Sequence, residues 1–255
     1  MEVHHHSHTP NSHRERKKWT HYFWEFFMLF LAVTAGFFVE NQREHFIEHQ
    51  REKVYIRSLF EDLKKDTAGI RSLAVMRTEV CGMIDSLILL LKNKSREAFS
   101  SRIYYLARKI PYSEGRFIFN SKTFDQLKSS GNLRLIRNLQ ILDMISDYYY
   151  DADNSSIRGP LDMNFENRRE LYLSLHKLFD AGKFHQMMDT ISPIVFHQPL
   201  VNPPLLSNDP LIINEICSRY HFIYGTHRMI MMDNERIAKK AILLIRALEK
   251  EYNLK

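Results

Sequence analysis

The sequence predicts an all-α protein: a single N-terminal transmembrane helix, a helical stalk and an antiparallel helical bundle. Three observations predict it. An unbroken apolar stretch, YFWEFFMLFLAVTAGFFV at Tyr22–Val39, directly follows the basic residues Arg14, Arg16, Lys17 and Lys18. Two long series of apolar residues recur at alternating spacings of three and four, the signature of a helical seam. With only 8 Gly in 255 residues and few apolar–polar alternations, strands have little to build on.

The apolar stretch is apolar on every face, whereas the surface helix of a soluble protein is so on one. Eighteen helical residues reach about 27 Å, close to the roughly 30 Å of bilayer hydrocarbon. Its one ionisable residue, Glu25, lies a turn from the basic end, where it reaches the interface or favours the helix N-terminus. Trp19, Tyr22 and Trp24 cluster at that end as an aromatic belt does. A cleaved signal peptide is the competing reading, with Val33-Thr34-Ala35 as the cleavage-like site. It would leave apolar Phe37-Phe38-Val39 at the new terminus. Lys and Arg are denser before the span than after it, where Arg43, Arg51, Lys53 and Arg57 mix with Glu40, Glu44, Glu48 and Glu52. The N-terminus is therefore expected inside and the large C-terminal part outside.

The chain divides into a His-rich polar and basic tail at 1–21, the span at 22–39, a charged stalk at 40–55 and a bundle at 56–255. The first seam is Ile56, Leu59, Leu63, Asp66, Ile70, Leu73, Arg77, Val80, Ile84, Leu87 and Leu91, closed by Asn93-Lys94-Ser95. A second helix is expected from Arg96 to Ile110, before Pro111. A short helix around Phe124 and Leu127 has Gly131 placed as its C-terminal cap. Another starts near Asn138, and Gly159-Pro160 breaks the chain before a helix from Leu161 to Asp180. A shorter piece covers Lys183 to Ile191, and 193–210 holds five of the 8 Pro and reads as extended loop. Asn208-Asp209-Pro210 is an N-cap signal for the last helix, to Tyr252. Its seam is Ile213, Ile216, Tyr220, Ile223, His227, Ile230, Asn234, Ile237, Ala241, Leu244 and Leu248.

Counting from helix ends, an antiparallel pair places Cys81 and Cys217 at similar heights. An interhelix disulfide is then possible, two buried thiols being the alternative. The same alignment brings Asp66 within a turn of His227 and Leu63 near Asn234. Asp66, Arg77, His227 and Asn234 are polar interruptions of apolar seams. Such a layer fixes register; alternatively, Asp66 and His227 form a pH-responsive pair.

The formal charge of +6 is spread among mixed charges, with no basic stripe beyond 14–18, so no nucleic-acid partner is expected. No P-loop, dinucleotide fingerprint, HExxH, GxSxG or CxxC is present. The sequence thus predicts no enzyme activity and no cofactor. Six of the 13 His fall in the first 21 residues, and His4, His5, His6 and His8 are the candidate metal ligands. Asp143, Asp147 and Asp151 share a helix face that reads as solvated.

WTHYFWEFFMLFLAVTAGFFVENQ (19–42), REKVYIRSLFEDLKKDT (51–67), TFDQLKSSGNLRLI (123–136) and ISDYYY (145–150) resemble a bacterial family of small single-span membrane proteins of unknown function. The resemblance covers the anchor, the stalk and the first half of the remaining chain. It brings no reaction or catalytic residue. It implies a bacterial envelope setting and an N-terminal anchor, and with the direction read from the Lys and Arg distribution the bundle is expected on the periplasmic side of the inner membrane. The expected role is an interaction or scaffold module, with the lipid bilayer and a protein partner or second copy as its contacts. The alternative is an extracytoplasmic ligand-sensing bundle.

Overall fold

The computed structural model describes residues 13–113, 115, 117–155 and 158–254. Among them there are seven α-helices and no strand, only an isolated bridge between Met188 and Phe196. The chain separates into two compact units between Val54 and Tyr55.

Helix α1 (His13–Lys92) contributes to both. In the first unit no residue from Trp19 to Val39 is buried, and Leu29 is 67% exposed. An eighteen-residue window of α1 has a mean hydropathy of 1.8, long and apolar enough to cross a membrane. Beyond it the helix is polar, with Arg43 reaching back to Glu40 at 2.6 Å.

In the second unit every expected seam position of α1 and of α7 (Pro210–Tyr252) is buried. Contacts between α1 and α7 fix their direction and register. Arg77 meets His227, and Thr78 Oγ1 lies 3.7 Å from Met231 Sδ. Ile56 shares a core with Leu248, and Leu91 shares one with Ile213, so the two helices run in opposite senses. α7 starts where the sequence places it, with Asp209 accepting from the Leu211 N–H at 2.8 Å and Pro210 in the first turn.

The shorter helices fill two apolar cores along this pair. One core takes α2 (Ser100–Lys109), α5 (Arg158–Leu175) and the end of α6 (Ala181–Gln186) against Val80–Leu91 and Ile213–Ile223. The other takes α3 (Lys122–Ser129) and α4 (Leu139–Asp153) against Ile56–Ile70 and Ile237–Leu248. Gly131, at φ 68°, follows α3 as the left-handed cap. Asn138 caps α4 by accepting from Gln140 and Ile141 N–H. The proline-rich loop is tied to α2: Ser101 Oγ donates to Pro199 O at 2.5 Å and Tyr104 OH to Pro204 O at 3.0 Å.

Three boundaries differ from expectation. The second helix begins as a 3-10 turn, Arg96–Phe99, before α2. α5 starts at Arg158, so Gly159 and Pro160 lie in its first turn, where a missing N–H leaves no helical bond unmade. It ends at Leu175, short of Asp180, because Asp180 is the N-cap of α6 and accepts from the Lys183 N–H at 2.9 Å.

The disulfide is also corrected: Cys81 and Cys217 are free and buried. The Arg77–His227 and Thr78–Met231 contacts put positions 223–228 opposite Cys81. Cys217 lies six to eleven residues farther on, about 9–16 Å of helix rise and beyond disulfide reach. The equal heights failed because they were counted from helix ends; the contacts set a different register. Burial raises both thiol pKa values. Peptide mapping of the oxidised protein without reductant is expected to recover both thiols free, each alkylated only after unfolding. A Cys81–Cys217 bridged peptide would show this register to be wrong.

Candidate functional site

Three of the segments singled out in the sequence converge in the core that holds α3 and α4. Asp66, on α1, is fully buried. Its Oδ1 accepts from the Asn120 backbone N–H at 3.0 Å and the Asn120 side-chain amide at 2.6 Å. Its Oδ2 accepts from Tyr148 OH at 2.7 Å. Tyr149 OH donates to the Asn120 carbonyl at 3.2 Å, so Asn120 is held through three of its groups. One turn before Asp66, Asp62 accepts from Thr123 Oγ1 at 2.6 Å, at the start of α3.

This clamp fixes an irregular segment that passes close to α1. A Cβ at Gly69 would stand 2.1 Å from the Phe117 ring, and one at Gly115 would stand 1.7 Å from Met76 Cε. At Gly69 the missing side chain makes room for the Phe117 ring, whereas at Gly115 the atom met is the movable end of Met76. Burial raises the pKa of Asp66, and the hydrogen bonds from Tyr148 and Asn120 pull it back. Burial also lifts the Tyr148 and Tyr149 hydroxyls far above their ordinary value, so they remain neutral donors.

The clamped segment and α4 enclose an open cleft of about 820 Å³. Its walls include Phe117, Phe119, Phe124 and Tyr149, and its rim Ile118 and Tyr150, which are 83% and 69% exposed. Phe124 stacks on Tyr149 with ring centroids 4.4 Å apart and planes 8° from parallel. Phe117 meets Phe119 edge to face at 5.0 Å. Among the described residues the charged lining is Asp125, Asp147, Asp153 and Lys128. Asp125 is engaged by Ser121 Oγ at 2.7 Å. The i, i+4 acidic face of α4 is thereby divided. Asp147 lines the cleft, while Asp151 is turned to α7, where it pairs with Arg236 and with Lys240 at 2.6 Å.

The polar seam residues form two separate nodes, which corrects the Asp66–His227 layer. Arg77 Nη1 donates to His227 Nδ1 at 2.8 Å, and Nη2 donates to Gly115 O at 3.2 Å. With Nδ1 accepting, the imidazole is neutral and its proton sits on Nε2. Burial first, and then the Arg77 charge, lower the His227 pKa to about 4. His227 Nε2 and Asn234 Oδ1, both buried, have no hydrogen-bond partner among the described residues. Asp66 lies eleven positions before Arg77 on α1, about 16 Å of helix rise, so it cannot share a layer with His227. Leu63 and Asn234 are displaced from each other in the same way.

His4, His5, His6 and His8 lie outside the described residues. Among the described residues no group of three or more His, Cys, Asp or Glu comes together that could hold a metal ion. Asn120, Phe117 and Phe119 escaped the sequence reading. The signal for them was the FIFN alternation at 117–120, in which the two Phe are partly buried and Ile118 is exposed. No protein-family model, curated protein or solved structure matches the chain.

Proposed function

We propose that this chain is a membrane-anchored interaction module of the bacterial inner membrane. Tyr22–Val39 is its single span, the N-terminus is cytoplasmic, and 55–255 is an antiparallel helical bundle on the periplasmic side that holds a protein partner or a second copy. The observation that carries the reading is the uncovered apolar surface: none of the residues from Trp19 to Val39 is buried, so their apolar surface calls for another solvent. The basic cluster before the span supports the direction. The resemblance to single-span bacterial proteins supports the compartment. A second reading, ligand sensing, is favoured by one observation, the partly polar cleft of about 820 Å³.

Alkaline carbonate extraction tests the anchor. The wild-type chain is expected in the membrane pellet at its uncleaved mass. The double variant Phe30→Arg, Leu31→Arg is expected to leave the pellet, because each Arg at a helix centre costs about 2.5–3.5 kcal/mol of insertion. Wild-type protein in the supernatant, or a chain shortened near Ala35, would sink the reading.

A further inference from the structure

We propose that the cleft between the clamped segment and α4 binds a small organic cation, an ammonium carried on an apolar or aromatic body. The proposal rests on the ligand-sensing reading and names its ligand class. The size fits: about 820 Å³ lies within the range of small-molecule sites. The walls fit an apolar body. Phe119 and Phe124, the latter backed by the buried Tyr149 ring, present aromatic surface, and the Asp66–Asn120–Tyr148 hydrogen bonds hold that wall in place before any ligand arrives.

Charge decides the class. Among the described residues, three carboxylates and one ammonium, Lys128, line the cleft. Asp147 and Lys128 have no hydrogen bond or ion pair with another side chain among the described residues, so Asp147 has a full carboxylate to offer. Asp125 is already engaged by Ser121. Aromatic faces attract cations through the ring quadrupole and do nothing comparable for anions. A neutral ligand would gain the walls alone, and an anion would meet the Asp147 carboxylate. The ligand that uses both features places its ammonium at Asp147 and its body over the rings.

The test uses the full chain in nanodiscs of zwitterionic lipid and isothermal titration with three probes of one size: phenethylammonium, phenethyl alcohol and 3-phenylpropanoate. Saturable one-to-one binding of phenethylammonium is expected, with the alcohol and the anion weaker. Asp147→Asn is expected to weaken the ammonium about two- to fivefold, the scale of a partly screened ion pair. The same variant should leave the alcohol unchanged. Asp147 is exposed, so this variant is expected to fold as the wild type does. Lys128→Ala should bind the ammonium at least as tightly. Equal affinity for ammonium and alcohol, or no change in Asp147→Asn, would overturn the cation class while leaving a ligand cleft. No saturable binding of any probe would overturn the cleft itself.

Discussion

Lowering the pH from 6.5 to about 4 is expected to remove about 3 kcal/mol of folding stability through one imidazole, His227. The sign follows from proton counting. The unfolded chain binds a proton at His227 near pH 6.5, but the folded chain does so only near 4. Between these values the unfolded state holds more protons, so stability rises with pH. It is fully present above the unfolded value and falls away below it. The cause is burial together with the charge of Arg77, whose guanidinium already donates to Nδ1. Asp66 acts in the opposite sense. Its raised pKa means that the fold takes up its proton first, so acid favours the fold at that site. His227→Gln separates the two, because its amide oxygen can accept from Arg77 and does not titrate. Urea unfolding at intervals from pH 7 to 4 should show a falling midpoint for the wild type and a flatter line for the variant. Parallel lines for the two proteins would remove His227 as the source.

Asp66→Ala is expected to destabilise the chain by about 3 kcal/mol, and Asp66→Asn by about 1 kcal/mol or less. Alanine leaves the buried Tyr148 hydroxyl and two donors of Asn120 without their acceptor. An unmet buried donor costs about 1–3 kcal/mol. Partial solvent access at Asn120 and relief of the burial cost of the carboxylate keep the total below the sum. Asparagine retains one carbonyl oxygen, and the Tyr148 hydroxyl can rotate to accept from the new amide. Urea midpoints measure the stability, and near-ultraviolet circular dichroism reports whether Tyr148 and Tyr149 stay ordered. An alanine variant as stable as the asparagine one would mean that the clamp adds nothing.

The long helices were legible because a buried seam writes its period into the sequence. Every seam position from Ile56 to Leu91 and from Ile213 to Leu248 is buried. Their register was legible too, but only by pairing seam with seam. Matching Ile56 to Leu248 and Leu91 to Ile213 puts Arg77 opposite His227, whereas counting from helix ends brings Asp66 within about a turn of it. The clamp was hidden for a different reason. Asn120 sits in an irregular stretch, and its hydrogen bonds to Asp66 and Tyr149 join residues 54 and 29 positions away. No local period records such a contact. Tyr148 stood out in the sequence only as part of an aromatic, acidic run, and nothing there said which of its neighbours faced inward. α5 was misplaced because a Pro in the first turn of a helix and a Pro that breaks one look alike in the sequence.

Among the described residues the two apolar cores share only α1 and α7; α2, α5 and α6 serve one, and α3 and α4 serve the other. The second unit is thus two modules threaded on one pair of rails, with Arg77 and His227 at the joint. Opening that frees α3 and α4 strips one module and leaves the other its full set of short helices. Freeing α3 and α4 alone would expose less apolar surface than global unfolding does, and so would cost less. Such an opening would take apart the aromatic wall at Phe117 and Phe119 and leave the core around Tyr104 and Tyr220 its packing.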